Sequence, residues 1–183
     1  VQIANRSSSI MQRLISSLLD IKRLEAGQEI LRNTNVHLEK MVNEAIEICN
    51  PLIESKEITI ETQIPSDVPP LKVDEDMIRR VVINLLENAV KFSPMHSRVI
   101  IGVKPNRNHV LVFVEDLGPG IPEGNREEIF EKYVRLEVDG RSRGLGLGLA
   151  FCRLAVQAHG GTIWVVKNMP VGARFELKLP MSD

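Results

Sequence analysis

The sequence predicts one α/β domain preceded by a helical extension, and three observations carry that prediction. Its 183 residues give room for one domain of ordinary size and a short addition. Stretches with apolar residues at helical spacing alternate with short runs rich in β-branched residues, the two periodicities of helix and strand. A turn dense in glycine and proline, residues 115–122 (EDLGPGIP), directly follows one of those runs. Hydrophobic residues at 43% and charged residues at 26% are close to average globular usage, so nothing suggests a disordered, collagenous or membrane chain. No uninterrupted apolar run is long enough to cross a bilayer, and the opening VQIANR does not read as a signal peptide. The formal net charge of -1, with no basic stripe interleaved with aromatics, gives no reason to expect nucleic acid. Cys49 and Cys152 each stand alone in helical, partly apolar patterns, so buried inert thiols in a reducing compartment are expected.

Residues 1–26 carry Ile3, Ile10, Met11, Leu14, Ile15, Leu18, Ile21 and Leu24 at helical spacing, predicting one amphipathic helix. Gly27 suits its left-handed C-terminal cap. Such a stripe cannot be buried alone, so it is expected to pack on a helix outside this chain, on a second copy, or both; folding back on the domain is the alternative. Residues 28–35 are polar and read as a linker or short edge segment. A helix follows over 36–56 with Leu38, Met41, Val42, Ala45, Ile46 and Ile48 inward. Residues 57–64 (EITIETQI) alternate through Ile58, Ile60 and Thr62 as a half-buried strand does. After a turn at 65–70, Asp74 is placed to cap the next helix, with Glu75 and Asp76 where the macrodipole favours negative charge.

That helix, 75–92, turns Asn84, Asn88 and Lys91 to one face at i, i+4 and i+7, while Ile78, Val81, Val82, Leu85, Ala89 and Phe92 fill the neighbouring face. Mid-helix asparagines are poor helix formers, which favours a role for their amides. An amide oxygen is a hard, neutral ligand of the kind Mg²⁺ accepts beside water and phosphate oxygens, and Lys91 adds a positive charge for the same phosphates. The alternative is two structural asparagines and an exposed lysine.

Residues 99–105 (VIIGVKP) and 109–115 (HVLVFVE) read as antiparallel neighbours about a turn at 106–108, with His109 at a strand edge. The second run delivers Asp116 into the glycine turn. Gly118 and Gly120 permit close approach of a ligand to main chain, and Pro119 and Pro122 stiffen the turn. An ionised carboxylate there accepts hydrogen bonds only, so it selects a ligand presenting a donor, such as the exocyclic amine of adenine. Residues 127–133 form a short helical turn, and 134–143 resemble a mobile lid in which Arg135, Arg141 and Arg143 can reach terminal phosphates, a solvated cationic loop being the alternative for the last two. The run Gly144-Leu145-Gly146-Leu147-Gly148-Leu149 opens a helix to His159, and bared N–H groups at a helix start make an anion site. His159 reads as a cap before Gly160-Gly161, without chemistry. Strands at 162–167 and 172–179 close the chain.

These stretches, in this order, resemble the catalytic ATP-binding domain of bacterial sensor histidine kinases of two-component systems. Residues 84–92 resemble the family's asparagine box, 116–120 its first glycine box, 129–133 its phenylalanine box, 144–148 its second glycine box, and 172–175 (GARF) a weaker last one. The resemblance covers roughly residues 36–180, and residues 1–27 are similar to the second helix of the dimerisation domain. It implies two parts, 1–27 from a dimerisation domain and 28–183 as the catalytic domain. The implied fold is the two-layer α/β sandwich of the histidine kinase, gyrase, Hsp90 and MutL ATPases, a mixed sheet with helices on one face.

The resemblance also implies ATP and Mg²⁺ as ligands. Asn88 would bind the metal, and Asn84, Lys91 and Arg135 would be catalytic residues facing the phosphates. Asp116 would bind adenine between Phe92 and Ile121, and Gly118, Gly120, Gly144, Leu145, Gly146, Leu147 and Gly148 would complete the site. The implied activity is transfer of the γ-phosphoryl group to a histidine for relay to a response regulator receiver domain, in a homodimeric, cytoplasmic parent with or without a membrane anchor. Tyr133, Val134, Leu145 and Ala173 depart mildly from the pattern. None of His37, His96, His109 or His159 has the setting of the phosphorylated histidine, which lies in a first dimerisation helix, so the chain is expected to be truncated and not to autophosphorylate alone. Asn84 stands where hydrolytic relatives carry a water-activating Glu, which disfavours the alternative of a related ATPase. A degenerate docking module is the remaining alternative.

Overall fold

A computed structural model of the chain describes residues 15, 18–27, 31–135 and 146–181. Helical residues 18–25 form α1, followed by β1 (Asn33–Val36), α2 (Leu38–Ser55), β2 (Thr59–Gln63), β3 (Leu71–Asp74) and α3 (Glu75–Phe92). Then come β4 (Arg98–Pro105), β5 (His109–Glu115), 3-10 turns at Glu123–Asn125 and Glu128–Phe130, α4 (Gly148–Ala158), β6 (Thr162–Lys167) and β7 (Ala173–Pro180).

Period-two alternation in the strands decides how the layers meet. The five-stranded sheet runs β2-β4-β5-β7-β6, with β2 parallel to β4 and every other pairing antiparallel. Register aligns Ile101, Val114, Phe175 and Val165 in one cross-strand row and Val103, Val112, Leu177 and Ile163 in another. All of these are buried on one face, and each such side chain contributes roughly 1.5–3 kcal/mol of hydrophobic stabilisation. Over them lie α2, α3 and α4, whose apolar stripes belong to the same core, so the mixed sheet with helices on one face is present as expected. The opposite face carries the intervening residues. There the Phe113 ring lies so close over Gly102 that a Cβ would come within 2.2 Å of it, and the Arg174 guanidinium stacks 3.8 Å from the ring centroid.

Helix α3 starts and ends where the sequence indicated. Asp74 Oδ1 accepts from the Met77 N–H at 3.1 Å, while Oδ2 accepts from the Arg32 N–H at 3.0 Å. In α2 the buried stripe is Leu38, Met41, Val42, Ala45, Cys49 and Ile53. Ile48, expected inward, is 55% exposed, because it sits a helical step of 100° from Cys49, which takes the inward place. Burial fades along β2 from Ile58 through half-buried Ile60 to exposed Thr62, the behaviour of an edge strand with one neighbour. Strand β3 was not expected; its Leu71 and Val73 are buried and it pairs with β1 in a two-stranded sheet. Phe92, expected in the apolar face, is half-exposed.

The end of α1 takes the fold-back alternative. Gly27 has the left-handed φ of 62° expected of its cap, Ile21 is fully buried and Leu24 packs on the core. Asp20 pairs with Arg80, whose guanidinium lies 3.9 Å from the Phe151 ring centroid, and Glu25 pairs with Lys132 at 2.5 Å. Ile15, Leu18 and Leu19 stay exposed. Cys49 and Cys152 are buried, and burial pushes their thiols up to about 11 and about 12.

Candidate functional site

Asp116 is only 4% exposed at the end of β5. Its N–H donates to the Ala173 carbonyl at 2.9 Å, which extends the β5–β7 ladder by one residue. Its Oδ1 accepts from the Gly118 N–H at 2.8 Å and the Ala173 N–H at 3.1 Å. Both bonds fall on one oxygen, which leaves Oδ2 to receive a donor from a ligand. Burial raises the carboxyl above its ordinary value, against the opposing pull of the Gly118 and Ala173 N–H groups.

Glycines make the turn possible by close approach. A Cβ on Gly172, where φ is 110°, would lie 1.9 Å from the Asp116 carbonyl oxygen, and one on Gly118 would lie 2.9 Å from that of Phe92. Gly120 has φ 77° and faces the Gly172 carbonyl. Asn168 donates from Nδ2 to the Asp116 carbonyl at 2.9 Å. The turn is therefore clamped between the end of α3 and the β6–β7 connection.

On α3, Asn84, Asn88 and Lys91 are half-buried on one face. Asn84 Oδ1 lies 3.0 Å from where a Gly148 Cβ would be, so that amide abuts the start of α4. Leu147 caps α4 without a side-chain hydrogen bond, and the positive end of the helix dipole faces the same region. Gly146, at φ 67°, leaves no room for a Cβ against the backbone of Tyr133 and Val134, and its carbonyl accepts from the Tyr133 N–H at 2.8 Å. Phe130 anchors this segment in the core, edge-on to Phe175 with centroids 6.3 Å apart. Ile121 is half-buried against the core, and Arg135 is exposed. Arg141, Arg143, Gly144 and Leu145, and with them most of the expected lid, lie outside the described residues.

The structure thus joins Asp116, Gly118, Gly120 and the Phe92 carbonyl at one end, and Asn84, Gly146, Leu147 and Gly148 at the other. Asn168, Gly172 and Ala173 were missed as supports of Asp116. An Asn opening a turn and a Gly closing it were the signals, but only the β5–β7 register shows their target. His159, expected merely to cap, is buried and bridges two helices: its Nε2 accepts from the Asp74 N–H at 3.0 Å and its Nδ1 lies 2.7 Å from the Ala155 carbonyl. Among the described residues no group of three His, Cys, Asp or Glu side chains is placed to hold a metal. One neutral amide such as Asn88, completed by water and ligand oxygens, suits Mg²⁺, which keeps most of its own shell. A groove of about 650 Å³ lies elsewhere, along the start of α2, and contains none of these residues.

Residues 73–183 match the family described as "Histidine kinase-, DNA gyrase B-, and HSP90-like ATPase". The adaptive-response sensory kinase SasA of Microcystis aeruginosa (strain NIES-843 / IAM M-2473) is 36% identical over 181 residues, 98% of this chain and 47% of that protein. The chain thus spans about half the length of the curated relatives it matches. Full-length ShkA, solved in complex with AMPPNP, is 30% identical with a TM-score of 0.86, covering 98% of this chain and 38% of that one. Histidine kinase ThkA in complex with the response regulator protein TrrA is 26% identical with a TM-score of 0.77, covering 97% of this chain and 50% of that one. With the sandwich fold and the Asp116 turn, these matches establish that the chain belongs to the histidine kinase-, DNA gyrase B- and HSP90-like ATPase family and carries the ATP-binding catalytic domain of a sensor histidine kinase.

Proposed function

We propose that the chain binds Mg-ATP across the surface between α3 and α4 and transfers the γ-phosphoryl group to a histidine on a dimerisation helix outside it. The observation that carries this reading is Asp116, a buried carboxylate with Oδ1 committed to two backbone N–H groups and Oδ2 left over. A carboxylate so held is aimed, and the exocyclic amine of adenine is the donor it suits. Phe92 and Ile121, both half-buried, flank the base, while Gly118 and Gly120 let it approach main chain. Asn84, Lys91 and Arg135 face the phosphates, Asn88 holds Mg²⁺, and Gly144, Leu145, Gly146, Leu147 and Gly148 offer backbone N–H groups. Bound Mg²⁺ supplies neutralisation of the charge spread over the phosphate oxygens.

In the transfer the unprotonated imidazole nitrogen of the acceptor attacks the γ-phosphorus, the bond to the β,γ-bridging oxygen breaks, and ADP leaves with that electron pair while the other ring nitrogen gives up its proton to solvent. The chain contributes positioning and charge stabilisation. Asn84 is a poor base, which supports transfer over hydrolysis. ShkA's solution with AMPPNP supports a nucleotide in this fold, and ThkA's complex with TrrA supports a response regulator as the downstream partner. We assign residues 1–27 to the dimerisation domain of a homodimeric parent, 28–183 to the catalytic domain, and the whole to the cytoplasmic side of the cell.

The test mixes this chain with γ-labelled Mg-ATP and a separately produced histidine-bearing dimerisation helix. Acid-labile, alkali-stable label on the helix, none on this chain and negligible free phosphate without the helix are the expected results. Steady release of free phosphate by the chain alone would favour the ATPase, and absence of Mg-dependent nucleotide binding would favour a docking module.

A further inference from the structure

We propose that Lys56, the C-cap of α2, is a positioning residue of the nucleotide site. Its ammonium donates to the carbonyl oxygens of Val90 and Lys91, each at 2.8 Å, and to that of Ser93. These are carbonyls that the end of a helix leaves without intrahelical partners, at the negative end of the α3 dipole where a cation is favoured. An ammonium has three N–H donors, and three carbonyls of one turn surround it. The chain reinforces the joint in the opposite direction. The His96 N–H donates to the Lys56 carbonyl at 3.0 Å, and the Thr59 N–H to that of Ser97 at 2.9 Å. Glu57 and His96, both with positive φ, turn the two corners so that they interlock, and their side chains approach to 3.3 Å.

What is clamped here is the stretch that serves both ends of the site. Lys91 faces the phosphates in the reading above, on which this inference rests, and one of the clamped carbonyls is its own. The next carbonyl, that of Phe92, is the group against which Gly118 sits so tightly that a Cβ would come within 2.9 Å. Lys56 therefore fixes the direction of Lys91 without touching nucleotide, while the Asp116 turn, held besides by Ala173 and Asn168, registers its loss only as a shift at the Gly118 contact. Sequence reasoning had no hold on it, since a lysine after a helix is an ordinary surface residue until its three acceptors are seen.

The experiment compares Lys56→Met, which keeps the stem and loses the donors, and Lys56→Gln, which keeps two N–H donors, with Lys40→Met, an exposed control on the same helix. Calorimetry with ATP and adenosine gives the affinity ratio, and amide spectra of the nucleotide-free proteins report Lys91 and Gly118. For Lys56→Met the ATP affinity is expected to fall about tenfold while adenosine changes less than about twofold. Lys56→Gln falls between, the Lys91 and Gly118 amides shift in both, and Lys40→Met matches the parent. Equal loss of ATP and adenosine, tracking a fall in Tm, would reduce Lys56 to a structural cap and overturn the proposal, as would an unchanged ratio with unmoved amides. If the parent chain itself binds ATP no better than adenosine, the phosphate reading is wrong, and the nucleotide-free amides alone decide whether Lys56 positions Lys91 and Gly118.

Discussion

The two ends of the proposed nucleotide site are built by different means. At the proposed base end the Asp116 carboxylate is buried and accepts from the Gly118 and Ala173 N–H groups, while the Asn168 side chain donates to the Asp116 main-chain carbonyl. At the phosphate end the candidates are half-buried or exposed side chains on one helix face, with Arg135 in solvent and an uncapped helix start nearby. A base is flat and uncharged, so its receptor can be assembled in advance within the sheet register. Phosphates and their metal arrive with charge, and groups that meet them stay near the surface, since burying charge is costly. In the proposed site the base end is thus part of the fold, and the phosphate end is carried by it.

The sharpest way to break this contrast is Gly172→Ala. The added Cβ would collide with the Asp116 carbonyl, at a position whose φ of 110° already disfavours other residues. We expect a loss of roughly 3 kcal/mol or more of stability together with nucleotide binding, checked by thermal unfolding and calorimetry. A variant with wild-type Tm that still binds ATP would separate the base end from the fold.

Acidification comes next. Protonated Asp116 offers a donor where a ligand donor is expected, so affinity for adenosine and ATP should fall about tenfold per pH unit below its raised pKa. Because that pKa lies above the ordinary 3.8, the fall begins at higher pH than for an exposed aspartate. Stability has the opposite sign. The folded state holds this proton more tightly than the unfolded one, so ionised Asp116 costs stability above its raised pKa, and the cost is relieved as pH falls from there towards the ordinary value. Parallel calorimetry and thermal melts across falling pH should show affinity dropping in the range where this cost is being lifted.

At the phosphate end, Asn88→Ala should weaken Mg-ATP about tenfold and abolish the effect of Mg²⁺, leaving adenosine affinity unchanged and stability within about 0.5 kcal/mol. An equal loss for adenosine would place Asn88 with the base. The smallest effect is expected from the thiols. With Cys49 pushed up to about 11 and Cys152 to about 12, alkylation of the native chain at neutral pH should proceed no faster than global unfolding, slowed by ATP only as far as ATP stabilises the fold.

Which parts were legible in the sequence follows the same division. Helix α3 could be read with its bounds because Asp74, the acidic first turn and the apolar stripe are all local signals. The strand rows could be read from alternation, and the glycine runs from composition. Strand β3 was missed because its four residues, LKVD, lie between a proline-rich turn and a helix cap, too few to display a period. Ile48 was misplaced because α2 offers two adjacent apolar positions and only packing chooses Cys49. The clamp on Asp116 was illegible for a stronger reason: Ala173 and Asn168 lie 57 and 52 residues away along the chain, and only strand register brings them there. Residue types that bear chemistry announce themselves, whereas the supports that aim them do not.

The most direct test is calorimetry of Asp116→Ala with adenosine and with Mg-ATP, beside the parent chain. If Asp116 is the prebuilt acceptor for the base, adenosine binding is lost and Mg-ATP weakens at least about hundredfold, the upper part of the roughly 1.5–3 kcal/mol of one charged hydrogen bond, because Gly118 and Ala173 lose their acceptor as well. Adenosine binding unchanged from the parent, in a variant that still folds, would contradict the account at its centre.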